Sequence, residues 1–343
     1  MTTRSHTESE ILSQPEVWRE TLASFDQSTL RRGFDTSPAD VVVTGCGSTH
    51  YLALTAAALL RDAGVRAWAV PASELLPGAQ PQALRPESTL MLAFSRSGTT
   101  TETMLAVEHF RRTGGQTVAA VTCYPESPLA QAADVVWAVP AAAEESVAQT
   151  RSFTSMLLIG QALAAALRGG NELSVLADLP AHAARLLDTT RAPMAEVARN
   201  AALTGFYFLA SDPLFGVASE AMLKLKEMSL TSSEAYHCLE FRHGPMSMCD
   251  PSAVVLGLVS AERAPREMAV LGDVSSLAGR VVTIGDGLEV EVPASLPTWS
   301  RPVLYLLPLQ LLALERALGK GLDPDSPRHL TAVIQLDVSV ETV

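Results

Sequence analysis

VVVTGCGSTHYLALTAAALL (41–60) and GFYFLASDPLFGVASEAMLKL (205–225) share one grammar, and that grammar decides the fold. Each opens on a short apolar run, breaks at a short polar turn and continues as a helix. Strands that are apolar at every position, rather than at alternate ones, are buried on both faces, which is the habit of parallel sheets covered by helices. Around these stretches the alternation continues. RAWAV (66–70), TLMLAFS (89–95), TVAAVTC (117–123) and VVWAVP (135–140) read as strands. Helices are expected from about Thr100 to Arg112 and from Phe153 to the stop at Gly169-Gly170. Further on, AVVLGLVS (253–260), RVVTIGD (280–286) and VLYLL (303–307) read as strands, and Pro308 opens a last helix, LQLLALERALG. The expectation is an α/β fold of two tandem, doubly wound subdomains, 36–170 and 199–343. A helical linker over 171–198 joins them, and a helical segment over 1–35, bent or broken at Pro15, precedes them.

At 343 residues, 48% hydrophobic and 18% charged, the chain can bury two cores. No window approaches 18 apolar residues without a charge or breaker, so no membrane span is expected. The polar start MTTRSHTESE lacks the apolar stretch of a secretory signal, and a cytoplasmic location is expected. Cys46, Cys123, Cys238 and Cys249 are far apart without CxxC spacing, so neither a disulfide scaffold nor a metal site is expected. A net charge of −12 sets nucleic-acid binding aside. An acidic protein can still hold a phosphate ester with backbone N–H groups, hydroxyls and a few cations.

The turn Gly45-Cys46-Gly47-Ser48-Thr49 lies where doubly wound sheets bind ligands. His50 stands where a dinucleotide fingerprint wants its third glycine, so that cofactor is disfavoured and none is expected. The next turn, Ser95-Arg96-Ser97-Gly98-Thr99-Thr100-Thr101, puts five hydroxyls around one glycine after a strand and before a helix. Ordinary N-capping needs one or two of them; five beside the positive end of a helix make a phosphate cradle. GxxxxGK[ST] is absent, which disfavours nucleotide hydrolysis. Gln149-Thr150-Arg151-Ser152 reads equally well as a capped helix start or as a ligand contact. The chain has only three lysines, and Lys224 and Lys226 flank Leu225 just before Glu227. Lys224 and Glu227 share a helix face (i, i+3), and Glu220–Lys224 would suit a surface ion pair. The apolar neighbours Ala218, Ala221, Met222, Leu223, Leu225 and Met228 leave little solvated face, which favours a proton-shuttling carboxylate at Glu227. Sixteen residues on, His243 enters a Gly-Pro turn, as a loop histidine or as a functional one.

SEAMLKLKEMSLTSSEAYHCLEFRHGPMS closely resembles the corresponding stretch of the sugar isomerase (SIS) domain family, above all the isomerase half of glucosamine-6-phosphate synthase. GCGST, SRSGTTTET, RSFTSML, EILSQPEVW and PLQLLALERALGKGLDPDSPRHL carry the resemblance along the whole chain. It implies two flavodoxin-like SIS subdomains, a homodimer with shared sites and a sugar-phosphate ligand. By motif position, Ser95, Ser97 and Thr100 would hold the phosphate with Arg96 behind them, and Ser48 and Thr49 would line the pocket. Glu227 would be the base, His243 would assist ring opening, reaching into the partner's site, and Lys224 would orient the substrate. Gln149 stands where the family has a serine in the third loop. Arg328 matches the tail arginine, and Ala332 replaces the lysine that forms a Schiff base four residues later. The chain begins Met-Thr-Thr, without the synthase's terminal cysteine nucleophile, so glutaminase activity is not expected. The resemblance thus implies an amino-hexose 6-phosphate deaminase/isomerase, with a fructosamine-6-phosphate deglycase or a non-catalytic phosphosugar-binding regulator as alternatives.

Overall fold

The structure, a computed structural model, describes residues 4–78, 85–331 and 333. Two five-stranded parallel sheets form its frame. The first holds β1 (Asp40–Gly45), β2 (Ala67–Pro71), β3 (Thr89–Phe94), β4 (Thr117–Thr122) and β5 (Val135–Ala138) in the order β2-β1-β3-β4-β5. The second holds β6 (Gly205–Ala210), β7 (Ser232–His237), β8 (Ala253–Leu258), β9 (Arg280–Gly285) and β10 (Val290–Glu291) in the order β10-β9-β8-β6-β7. Read from the other edge, this is the same order, with the first strand of each half between its second and third. The chain reverses direction between β1 and β3, and again between β6 and β8. Those two crevices are the switch points where such sheets place ligands.

Alternate residues of β1 explain the layering. Val41 and Val43 join one large core with Leu52 to Leu60, Phe153 to Ala166, Phe206, Phe208 and the helix Pro302–Gly319, so helices fill the space between the sheets. Val42 points the other way, with Met91, Ala120 and Phe110 under the helix Thr101–Arg112. Leu209, Val255 and Val270 repeat that outer layer in the second half. Burial on both faces is the reason the strands read as continuous apolar runs.

The expected two sheets and N-terminal helix are present, with three differences. VLYLL (303–307) is not a strand: it belongs to the helix Pro302–Gly319, which starts at Pro302 and contains Pro308. That helix is buried on nearly every side and shows no polar face from which its period could be read. It is long and apolar enough to span a bilayer, and it is a core element of this fold. The polar run SSEAYH (232–237) is strand β7, an edge strand paired only with β6, so half of it faces solvent. The N-terminal segment is two helices, His6–Ala23, which runs through Pro15, and Gln27–Arg31, capped by Asp26.

Candidate active site

The helix Phe215–Ser229 places the charged residues. It crosses the helix Ser48–Asp62 at Gly216, where an added Cβ would lie 2.2 Å from the Tyr51 carbonyl oxygen and 2.5 Å from Thr55 Oγ1. Thr55 Oγ1 donates to the Pro213 carbonyl (3.0 Å) and fixes the approach. Two turns later the contact delivers Lys224 to Ser48, with Nζ 3.2 Å from Oγ. At its far end the helix stops on Leu230 in the left-handed region (φ +49°). There Lys320 Nζ donates to the carbonyls of Ser229 (2.6 Å) and Leu230 (3.2 Å), a cation where a helix C-terminus favours one.

Lys224 is 1% exposed and lies between two carboxylates of its own helix. It pairs with Glu220 at 3.3 Å and, more closely, with Glu227. Burial works against the Lys224 ammonium, but Glu220 and Glu227 outweigh it, and the net shift is upward. Glu220 is fully buried; burial and the nearby Glu227 push its carboxyl up to about 8, against the pull of Lys224. Glu220–Lys224 is therefore no surface pair. Glu227 keeps 18% of its side chain exposed and reaches the mouth of a cleft. Lys226, on the other face, is exposed.

The cleft encloses about 220 Å³. Ser48, Lys224 and Glu227 line it together with Arg96, Thr100, Glu102 and Gln149, so it lies at the β1/β3 switch point. The turn Ser95–Thr101 beside it is held by its own hydrogen bonds. Ser95 Oγ accepts from the Gly98 N–H (3.1 Å) and lies 3.4 Å from Thr100 Oγ1. Ser97 Oγ accepts from Thr99 N–H (3.2 Å) and Thr99 Oγ1 (3.0 Å). Gly98 has φ +64°, and a Cβ there would meet Ser127 Oγ at 2.1 Å, so the turn requires glycine. Arg96 is buried behind the loop, donates to the Val147 carbonyl (3.0 Å) and pairs with Glu144 (3.6 Å). Glu144 in turn accepts from the Thr150 N–H (2.6 Å) and Oγ1 (2.7 Å), which sets the start of the helix Arg151–Arg168. Gln149 thus sits in a braced loop, its Oε1 buried without a hydrogen-bond partner.

Of the residues singled out in the sequence, Ser48, Arg96, Thr100, Gln149, Lys224 and Glu227 meet at this cleft. Ser95 and Ser97 shape the loop from within. Thr49 braces the first turn, accepting from the Cys46 N–H and donating to its carbonyl, both at 2.9 Å. His243 and Arg328 are exposed and outside the residues that line the cleft. His243 follows the turn Leu239–Arg242, where Arg242 is bonded to Asp273 (2.7 Å). Ala332 lies outside the described residues, while Leu330, Thr331 and Val333 line the cleft. Glu220 and Glu102 were not singled out as site residues. The 220/224/227 spacing, three charges on one face of an apolar helix, was the available signal for Glu220.

Residues 36–166 match the model of the SIS domain. That stretch of the chain is a SIS domain. It contains the whole first sheet and both turns of the cleft. Relatives along nearly the whole chain are glutamine–fructose-6-phosphate aminotransferases (isomerizing): one from Legionella pneumophila is 30% identical over 96% of this chain and 58% of its own length. One from Gluconobacter oxydans is 28% identical over 97% and 59%. The chain thus spans about three-fifths of the length of these relatives. A glucosamine-6-phosphate deaminase from Thermotoga maritima superposes with TM-score 0.85 at 29% identity, over 97% of this chain and all of that one. The C-terminal domain of the aminotransferase from Francisella tularensis has the same fold, with TM-score 0.83 at 22% identity over 95% and 99%.

Proposed function

We propose that the chain is an isomerase/deaminase of an amino-hexose 6-phosphate. The observation that carries this reading is the run Ser48–Lys224–Glu227 in the cleft that Thr100 and Arg96 also line. It sets a carboxylate in the same cleft as the glycine-pinned turn that would cradle a phosphate. The phosphate rests on the Ser95–Thr101 turn at the positive end of the helix Thr101–Arg112. Glu227 takes the proton from C2 of the open aldehyde form and returns it at C1. Lys224 neutralises the oxygen charge that develops between the two transfers, and Glu220 holds the lysine in place. The resulting C2 imine takes up water and releases ammonia, leaving the ketose phosphate. His243, exposed in one chain, would act in ring opening across a dimer of two such chains. The likeness to the Thermotoga glucosamine-6-phosphate deaminase and to the aminotransferases supports a substrate with an amino group at C2.

Glu227→Gln tests the reading. A general base contributes roughly 100- to 10,000-fold. Ammonia release and ketose formation from glucosamine 6-phosphate should fall by about a thousandfold, while calorimetric affinity for the sugar phosphate stays within about threefold. Undiminished turnover in this variant would reject the assignment.

A further inference from the structure

The cleft has a surplus of acceptors. Buried oxygens normally have a hydrogen-bond partner, and the exceptions call for an explanation. Two exceptions line this one cleft: Glu102 Oε2 and Gln149 Oε1. Glu102 is in the first turn of the helix Thr101–Arg112. Any carboxylate there gains from the helix dipole, but that gain does not require an oxygen to be buried. Burial without a partner costs free energy unless a ligand donates. The cations nearby are already committed, Arg96 to Glu144 and Lys224 to Glu220 and Glu227. A ligand hydroxyl can donate only one hydrogen, whereas an ammonium donates three, carries the opposite charge and accepts none.

We infer that Glu102, with Gln149 beside it, is the specificity-determining residue for the amine of the substrate, selecting an ammonium-bearing sugar phosphate over its hydroxyl counterpart. The inference rests on the function proposed above and adds the residue that reads the nitrogen. It requires no chemical step from Glu102; the carboxylate acts on binding alone.

The test measures affinities of the full chain for glucosamine 6-phosphate and glucose 6-phosphate by calorimetry, in the Glu227→Gln background so that neither ligand turns over. The parent should prefer the amino sugar. Glu102→Gln keeps the shape and removes the charge; it should weaken the amino sugar about tenfold or more and alter glucose 6-phosphate less than twofold. Glu102→Asp should retain the preference, and Gln149→Leu should lose about threefold for the amino sugar only. Equal weakening of both ligands in Glu102→Gln, with an unchanged melting temperature, would mean that Glu102 supports the phosphate turn and would overturn the inference alone. No weakening of either would do the same. Failure of the parent to bind either sugar would overturn the proposed function and this inference together.

Discussion

The turn after β3 and the turn after β8 occupy equivalent stations in sheets of the same strand order, yet only one of them is open. After β3, Ser95 to Thr101 form a glycine-pinned arc that shapes one wall of the cleft. After β8, Ser260 donates its N–H (2.7 Å) and its hydroxyl (3.1 Å) to Glu267, a carboxylate 1% exposed on the following helix, Ala264–Val274. The second half has supplied its own anion at that station, where under the proposed function the first leaves room for a ligand's. A repeated scaffold thus becomes asymmetric through one side chain, and the second half is left to provide the helix of Glu220, Lys224 and Glu227.

Substitutions can break this comparison. The largest effect on binding is expected from Ser95→Ala combined with Thr100→Ala, which should weaken sugar-phosphate binding about a hundredfold: Thr100 loses a charge-assisted hydrogen bond worth about 1.5–3 kcal/mol, and the turn loses the Ser95 oxygen that accepts from the Gly98 N–H. Ser260→Ala, at the matching station, should leave binding unchanged by the same titration; an equal loss would end the distinction. Next comes Gly216→Ala. Its Cβ meets the Tyr51 carbonyl at 2.2 Å, so the two helices must separate. Overpacking costs about 1–3 kcal/mol in thermal denaturation, and kcat should fall about tenfold as Lys224 leaves Ser48. Glu267→Ala should destabilise by about 1–3 kcal/mol by stranding the Ser260 donors, with KM unchanged.

A last effect is expected on the pH dependence of stability. Unfolded, Glu220 releases its proton near its ordinary 4.5; folded, it holds it to about 8. The folded state therefore binds the extra proton across that window, and stability falls as pH rises from 4.5 to 8. Glu220→Gln should flatten that part of the melting-temperature profile, and no Glu267 variant should do so by way of Glu220. A profile unchanged by Glu220→Gln would show that the carboxyl does not titrate there.

The glycine-pinned turn and the charged helix were legible because their geometry is local: Ser95–Thr101 is one turn, and Lys224 and Glu227 are one turn of helix apart. The elements that misled were those whose surroundings decide. VLYLL is helical because it is enclosed on all sides, and SSEAYH is a strand because β6 offers an edge. Glu220 reads as half of an exposed pair, yet the packing around its helix leaves it fully buried. Thr49 shares its motif with Ser48 but is spent on the Cys46 backbone. His243 and Arg328 were carried over by motif position, which records kinship of sequence and not where a single folded chain sends a side chain.

One consequence follows from where the lysines fall. Lys224 and Lys226 belong to one helix and Lys320 closes that helix's end, while Lys224 is buried. The only side-chain amines an acylating reagent can reach on the folded protein are therefore Lys226 and Lys320, both on that helix or against its tip. Attachment to a sensor surface through side-chain amines would tether every molecule by the same small region, in nearly one orientation.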